Sequence, residues 1–209
     1  MVTVNDQPTA RRICELFTEL LDYPHESPME MLSECRTLTG AMSRDADARL
    51  AIFQAFAEKA TLGRLQEEYT RAFDMDESHS LYVGYHLLGE SYKRSALLLE
   101  FKERYRAHGM EVAGELTDHL PVVLRFLATC QDRDLTNEIV GEAIWPMLEM
   151  MARKGEESDD ASAEEEGRPP AVPVPYHELL TALLLVVRVS PMGGARPLAI
   201  AGPIGRSTT

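Results

Sequence analysis

The side chains with which this protein could bind a metal, attack a bond or move a proton are six histidines, three cysteines and a surplus of carboxylates. Such chemistry needs them at short, fixed spacings, because the groups must converge on one ion or one reacting atom. His25, His79, His86, His108, His119 and His177 form no HExxH or comparable pair. Cys14, Cys35 and Cys130 are widely spaced, odd in number and form no CxxC, the pattern of reduced, partly buried thiols in a cytosolic protein. There is no GxSxG nucleophile elbow and no Gly-rich phosphate loop. Asp118 and His119 are adjacent, but in the order opposite to the His-Asp pair of metal-dependent phosphohydrolases. A small all-α metal-dependent hydrolase built on Asp118 and His119 is therefore an alternative that lacks the further ligands it needs. A small-molecule-binding helical sensor is a second alternative. The residues predict no catalytic group and no metal ligand.

Asp118 and His119 lie in the stretch ELTDHLPVVLRFLA, from Glu115 to Ala128. Polar groups at the mouth of an apolar helix suit docking better than bond-breaking. Asp118 is expected to be the N-cap, its carboxylate accepting from N–H groups orphaned at the helix start. Pro121 falls in the first turn, where a missing N–H costs nothing. Leu120, Val123, Leu124 and Leu127 recur at helical spacing, and Leu124 is expected on the buried face. His119 has three readings: a polar group at the helix start, a partner contact, or a metal ligand.

A second group is aromatic and acidic. Tyr69 and Phe73 are four apart on one expected helix. Tyr85 and Tyr92 are seven apart and share a face if their segment is continuous. With Tyr82, these rings either pack in the core or wall a peptide groove, where a Tyr ring supplies area and its hydroxyl a hydrogen bond. Glu67, Glu68, Asp74, Asp76 and Glu77 are either a solvated helix end or part of an acidic patch. Arg94 is expected to pair with an internal carboxylate, Asp74 or Asp118, and so to fix two helices together.

Helical periodicity dominates the elements that must position these residues. It predicts helices at Thr9–Asp22 with Thr9 as N-cap, Pro28–Thr39, Asp45–Ala60 and Leu62–Phe73. The run SLYVGYHLL could read as a short strand but is taken as helical, for want of a second strand to pair with. Glu90–His108 is expected to be a long helix near the centre, ended by Gly109. The Asp118 helix follows, then Leu135–Arg153, which Pro146 could kink. The expected layout is a helical core over 1–154, an acidic, Pro-rich flexible loop over 155–175, a final core helix over 176–190 and a disordered tail over 191–209.

The 209 residues suffice for one domain, and 44% hydrophobic with 26% charged residues is ordinary for a soluble globular chain. The net charge of −13 repels phosphate backbones, so nucleic acid is not expected as a partner, whereas a basic peptide would be attracted. The start, MVTVNDQPTARR, holds no apolar core of signal-peptide length. The longest apolar run, LLTALLLVVRV, is too short to span a bilayer and is interrupted by Arg188, so no stable membrane insertion is expected.

Two blocks carry a resemblance. GELTDHLPVVLRFLA resembles the segment ELPDHLPxxLEF of the NarJ family, the cytoplasmic assembly chaperones of respiratory nitrate reductase. EEYTRAFDMDESHSLYVGYHLLGESYKRSALLLEFKERYRAHG is similar to that family's YxxxFD, LYLxxHxxGD and RGxALxxLxxxYxxxG elements, in the same order. The family belongs to the redox-enzyme maturation chaperones that include TorD and DmsD. The resemblance runs from Glu67 to Ala128, with Thr117, Ser95 and Arg125 departing from the usual Pro, Gly and Glu. It implies an all-α single-domain bundle of the TorD-like type, and a cytoplasmic chaperone, not an enzyme, that exists as a monomer or weak dimer. The implied partner is the apo catalytic subunit of a molybdoenzyme, bound through its N-terminal, twin-arginine-like peptide. No cofactor of its own is implied; the client carries the molybdenum cofactor and iron–sulfur clusters. The client-binding residues then fall at Tyr69, Asp74, Tyr82, Tyr85, His86, Asp118 and His119.

Overall fold

The computed structural model describes residues 7–75, 80–153 and 175–190. Among them the protein is all-α, as the periodicity predicts. Helices α1 (Gln7–Leu20), α2 (Met29–Gly40), α3 (Arg44–Ala57) and α4 (Leu62–Phe73) come first. Then follow α5 (Val83–Leu88), α6 (Tyr92–Ala107), α7 (Leu120–Thr129), α8 (Arg133–Ile139), a π turn (Val140–Ile144), α9 (residues 145–153) and α10 (Pro175–Val189). The sequence-based layout for 155–174 and 191–209 lies outside the described residues, as do Asp76 and Glu77.

Local chemistry sets several boundaries. Ser43 accepts from the Ala46 N–H at 3.2 Å and Thr61 from the Arg64 N–H at 3.3 Å, so each hydroxyl caps its helix. Asp132 accepts from the N–H groups of Asp134 and Leu135, both at 3.0 Å, and caps α8 in the same way. Thr9 is not a cap, because α1 already begins at Gln7.

The core is organised around α7, not α6. Leu120, Pro121, Val122, Val123, Leu124, Phe126, Leu127 and Ala128 of α7 are all buried. Apart from the exposed Arg125 and Thr129, α7 is apolar on every side, and such a helix belongs inside. It packs against α1, while α10 packs against α3 and α4. Tyr176 of α10 meets Phe53, Tyr69 and Phe73 edge-on, at centroid distances of 5.1, 5.4 and 5.5 Å. The run Leu97-Leu98-Leu99 spreads apolar groups around α6 and gives it no single face. Only Phe101 and Tyr105, four apart, are fully inserted, and α6 lies on the surface.

The expected helix Leu135–Arg153 is interrupted. Pro146 has no N–H to offer, and its ring crowds the carbonyl four residues back. The chain meets this with the π turn Val140–Ile144, immediately before α9.

The SLYVGYHLL run divides. Leu81 and Tyr82 lead into the helix Val83–Leu88, with Tyr82 in extended conformation. Their partner is the segment entering α7. Leu120 N–H donates to Leu81 O at 2.8 Å and Val83 N–H to Asp118 O at 2.9 Å. An antiparallel bridge thus joins Tyr82 to His119. Gly89, at φ 61°, ends α5 in a conformation that favours glycine, and Ser91 caps α6. Tyr85 and Tyr92 therefore share no helix face.

Candidate functional site

The bridge brings the two sequence blocks into one site, with Asp118 at its base. Asp118 is 0% exposed. Its Oδ2 accepts from the Gly84 N–H at 3.1 Å and from Arg94 Nε at 3.0 Å. Gly84 is the second residue of α5, so Asp118 caps a neighbouring helix. The expectation that it caps its own helix is corrected: the residue at the start of α7 is His119, with extended backbone and no side-chain cap bond. The carboxylate is engaged by α5 and α6 instead. Pro121 does sit in the first turn of α7.

Gly84 is there because nothing larger fits. A Cβ on it would lie 2.7 Å from Asp118 Oδ2, 3.1 Å from Leu97 Cδ2 and 3.2 Å from Arg94 Cγ. The bare backbone lets the carboxylate reach the N–H.

Arg94 makes the pairing expected of it, with Asp118 and not Asp74. Its side chain is 13% exposed, and Glu90 approaches it at 3.7 Å. The guanidinium carbon lies 5.5 Å from the Tyr82 ring centroid and 5.9 Å from that of Tyr85, within cation–π range. One arginine therefore links α6, α5 and the entry to α7, and braces both rings.

Above this base the site opens. The Tyr82 hydroxyl donates to Glu115 Oε1 at 3.1 Å, and its ring lies 5.2 Å from that of His119. Burial and the neighbouring Glu115 charge push the Tyr82 phenol up to about 12, so it stays protonated as a donor. Burial holds the His119 imidazole below its ordinary value, against the opposing pull of Glu115, Asp22, Asp118 and Asp74. Asp22, Asp74 and Glu115 are exposed. The mouth thus combines half-buried rings with carboxylates, and its cation, Arg94, is engaged from below.

Burial alters the part that three of the sequence-selected residues can play. Tyr69 lies inside, its hydroxyl donating to Leu21 O at 3.3 Å and its ring packed on Tyr23, Phe73 and Tyr176. His86 is buried, with Nε2–H donating to Ser80 O at 2.7 Å. Asp118 is sealed. These three shape the face, whereas Tyr82, Tyr85, His119 and Asp74 reach its surface. Gly84, Glu115 and Asp22 also belong to the site, and residue type and spacing do not single them out. A glycine inside an aromatic run is a usable signal for Gly84. Glu115 stands in the same stretch as Asp118 without a spacing that marks it. Asp22 has no signal, because it reaches the site only through the turn after α1.

The described residues offer no group of three or more His, Cys, Asp or Glu placed to hold a metal ion. Nor is any described helix long and apolar enough to cross a membrane. The described residues thus form an all-helical body that carries an aromatic and acidic face. A family model described as nitrate reductase delta subunit matches residues 39–144, more than half of the chain, and the chain belongs to that family. It is 27% identical over 146 residues to the nitrate reductase molybdenum cofactor assembly chaperone NarJ of Escherichia coli K12, and equally to that of Escherichia coli O157:H7. It is 26% identical over 141 residues to the probable nitrate reductase molybdenum cofactor assembly chaperone NarW of Escherichia coli K12. The NarJ alignments cover 66% of this chain and 60% of NarJ. The NarW alignment covers 67% of this chain and 58% of NarW. The chain thus spans about three fifths of the length of these relatives. The resemblance to the NarJ family drawn from the two blocks is borne out.

Proposed function

We propose that this protein is a cytoplasmic, system-specific chaperone, not an enzyme. It binds the catalytic subunit of a nitrate-reductase-like molybdoenzyme through that subunit's N-terminal, twin-arginine-like segment. It assists molybdenum cofactor insertion before assembly or export. It uses no cofactor of its own; the molybdenum cofactor and the iron–sulfur clusters are the client's. The names of the relatives support the class of client. The observation that carries the reading is the face formed by Tyr82, Tyr85 and His119 with Asp74, Glu115 and Asp22 around it. An amphipathic basic peptide would set its apolar side on the rings and its charge among the carboxylates. A hydrolase at Asp118 and His119 is disfavoured, because Asp118 is sealed from solvent and its Oδ2 is held by Gly84 and Arg94.

Calorimetry with a synthetic peptide of the client N-terminus tests this. Glu115→Gln and Asp74→Asn should each weaken binding at low salt and less so at high salt, since exposed pairs are screened. Tyr82→Ala should weaken it at both. Unchanged affinity in all three variants, with the fold intact, would remove the peptide from this face.

A further inference from the structure

Helix α6 carries an outer face that no described residue covers. Tyr92 is 88% exposed and Leu99 57%. Ser95, Ala96, Glu103 and Arg106 are also exposed. The inner face is occupied: the Tyr105 ring lies 4.7 Å from Phe126 and its hydroxyl donates to Thr117 O, while Thr117 Oγ1 donates to Leu98 O. Tyr92, Ala96, Leu99, Glu103 and Arg106 recur at alternating steps of four and three, the spacing of a seam that packs against another helix.

The seam is complementary to itself. Tyr92 and Arg106 each stand seven residues from Leu99, about 10.5 Å along the axis at roughly 1.5 Å per residue. An antiparallel copy placed with Leu99 on the two-fold axis brings Tyr92 of each chain to Arg106 of the other. An aromatic face meets a guanidinium at both ends, and Leu99 meets its counterpart at the centre. Arg106 also meets Glu111 at 3.4 Å in an exposed pair, which leaves the flat face of the guanidinium open to a ring. Ser95 and Ala96, small and exposed, let the axes approach. The match repeats under the symmetry operation, as a closed two-fold contact requires.

We infer that the outer face of α6 is a self-association surface, on which a second copy of this chain docks antiparallel about Leu99. One helix pair is a small contact, below the roughly 1,200 Å² of stable interfaces, so the dimer is weak and concentration-dependent. The inference stands apart from the client reading, because it concerns mass and not peptide affinity.

Sedimentation equilibrium of the full chain tests it. The weight-average mass should rise above 23.4 kDa as concentration increases. Leu99→Asp, an exposed change whose fold is checked by circular dichroism, should hold the mass at the monomer value. A wild-type chain that stays monomeric throughout, or an Asp variant that associates equally, overturns the inference. A second experiment reads the geometry. Cys14, Cys35 and Cys130 are buried, so a short bis-maleimide reports on introduced thiols. Leu99→Cys should cross-link to its own copy in much higher yield than Tyr92→Cys, because only position 99 lies on the axis. Equal yields exclude the antiparallel register.

Discussion

Arg94 Nε donates to Asp118 Oδ2 across 3.0 Å, and the carboxylate that receives it has no exposed surface. A sealed charge of this kind is tolerable only while its partner is present. Their contact ties the surface helix α6 to the entry of the most buried one, α7.

Asp118→Asn should therefore destabilise the fold. Asn keeps the size and one acceptor oxygen, but leaves the Arg94 guanidinium without its buried charge partner. Breaking one side of a buried pair costs about 3–5 kcal/mol. The lower end is expected here, because Arg94 keeps the Tyr82 and Tyr85 rings and Glu90. A urea-unfolding midpoint equal to that of the parent would show that the pair contributes nothing.

Gly84→Ala probes the same joint by volume alone. The added methyl would stand 2.7 Å from Asp118 Oδ2 and must push the carboxylate, or α5 itself, aside. Overpacking of this kind costs roughly 1–3 kcal/mol. Nuclear magnetic resonance should show the largest shifts at Asp118, Arg94 and Leu97, the groups the methyl would meet. Shifts confined to residue 84 would mean the joint has slack.

Leu124→Ala should cost about 2–5 kcal/mol, the range for emptying a buried Leu site. Leu124 is buried in α7 and already borders a small apolar void shared with Ile13, Leu127, Val140 and Leu183. The truncation enlarges that void. A thermal midpoint matching the parent would place this face outside the core.

The pH response follows from His119. Its imidazole titrates below the ordinary value of about 6.5 because burial disfavours the charged form. The unfolded chain then binds the proton first. This contribution to stability is complete above the unfolded value of about 6.5 and declines as pH falls from there toward the folded one. Affinity for a basic peptide should hold steady near neutral pH, then weaken on acidification as His119 gains charge. A ring-proton titration of His119 with a midpoint at or above that of a free histidine would contradict the burial argument.

The helices are largely legible in the sequence because their cause is local. Apolar spacing places α3, α4, α7 and α10 within a few residues, and Pro121 and the pairing of Arg94 with a buried carboxylate are legible too. What spacing misses depends on partners distant in sequence. Asp118 stands where a capping residue should, just before α7, yet a backbone bridge to Leu81 and Val83 decides which helix it caps. The same bridge divides the SLYVGYHLL run. Glu115 and Asp22 join the site only once α1, α5 and α7 are packed, so no spacing along the chain announces them. The surface position of α6 is hidden because three consecutive leucines signal burial without saying which one is buried.

The π turn Val140–Ile144 sets the phase in which the chain enters α9. A π turn holds one residue more than an α turn, and each residue of an ordinary α-helix rotates it by about 100°. The extra residue is taken up as a local widening, so the helices on either side keep a common phase. Met147, Leu148 and Met151 of α9 are buried in that phase. Loss of Gly141 would leave those three side chains in phase, but would close the widened turn to ordinary α-helix, in which the Pro146 ring crowds the carbonyl four residues back. The same loss in the middle of α7 would swing every later side chain of that helix by more than a quarter-turn, out of the core it fills. Length is thus fixed at the turn by the proline, and in α7 by the phase of its side chains.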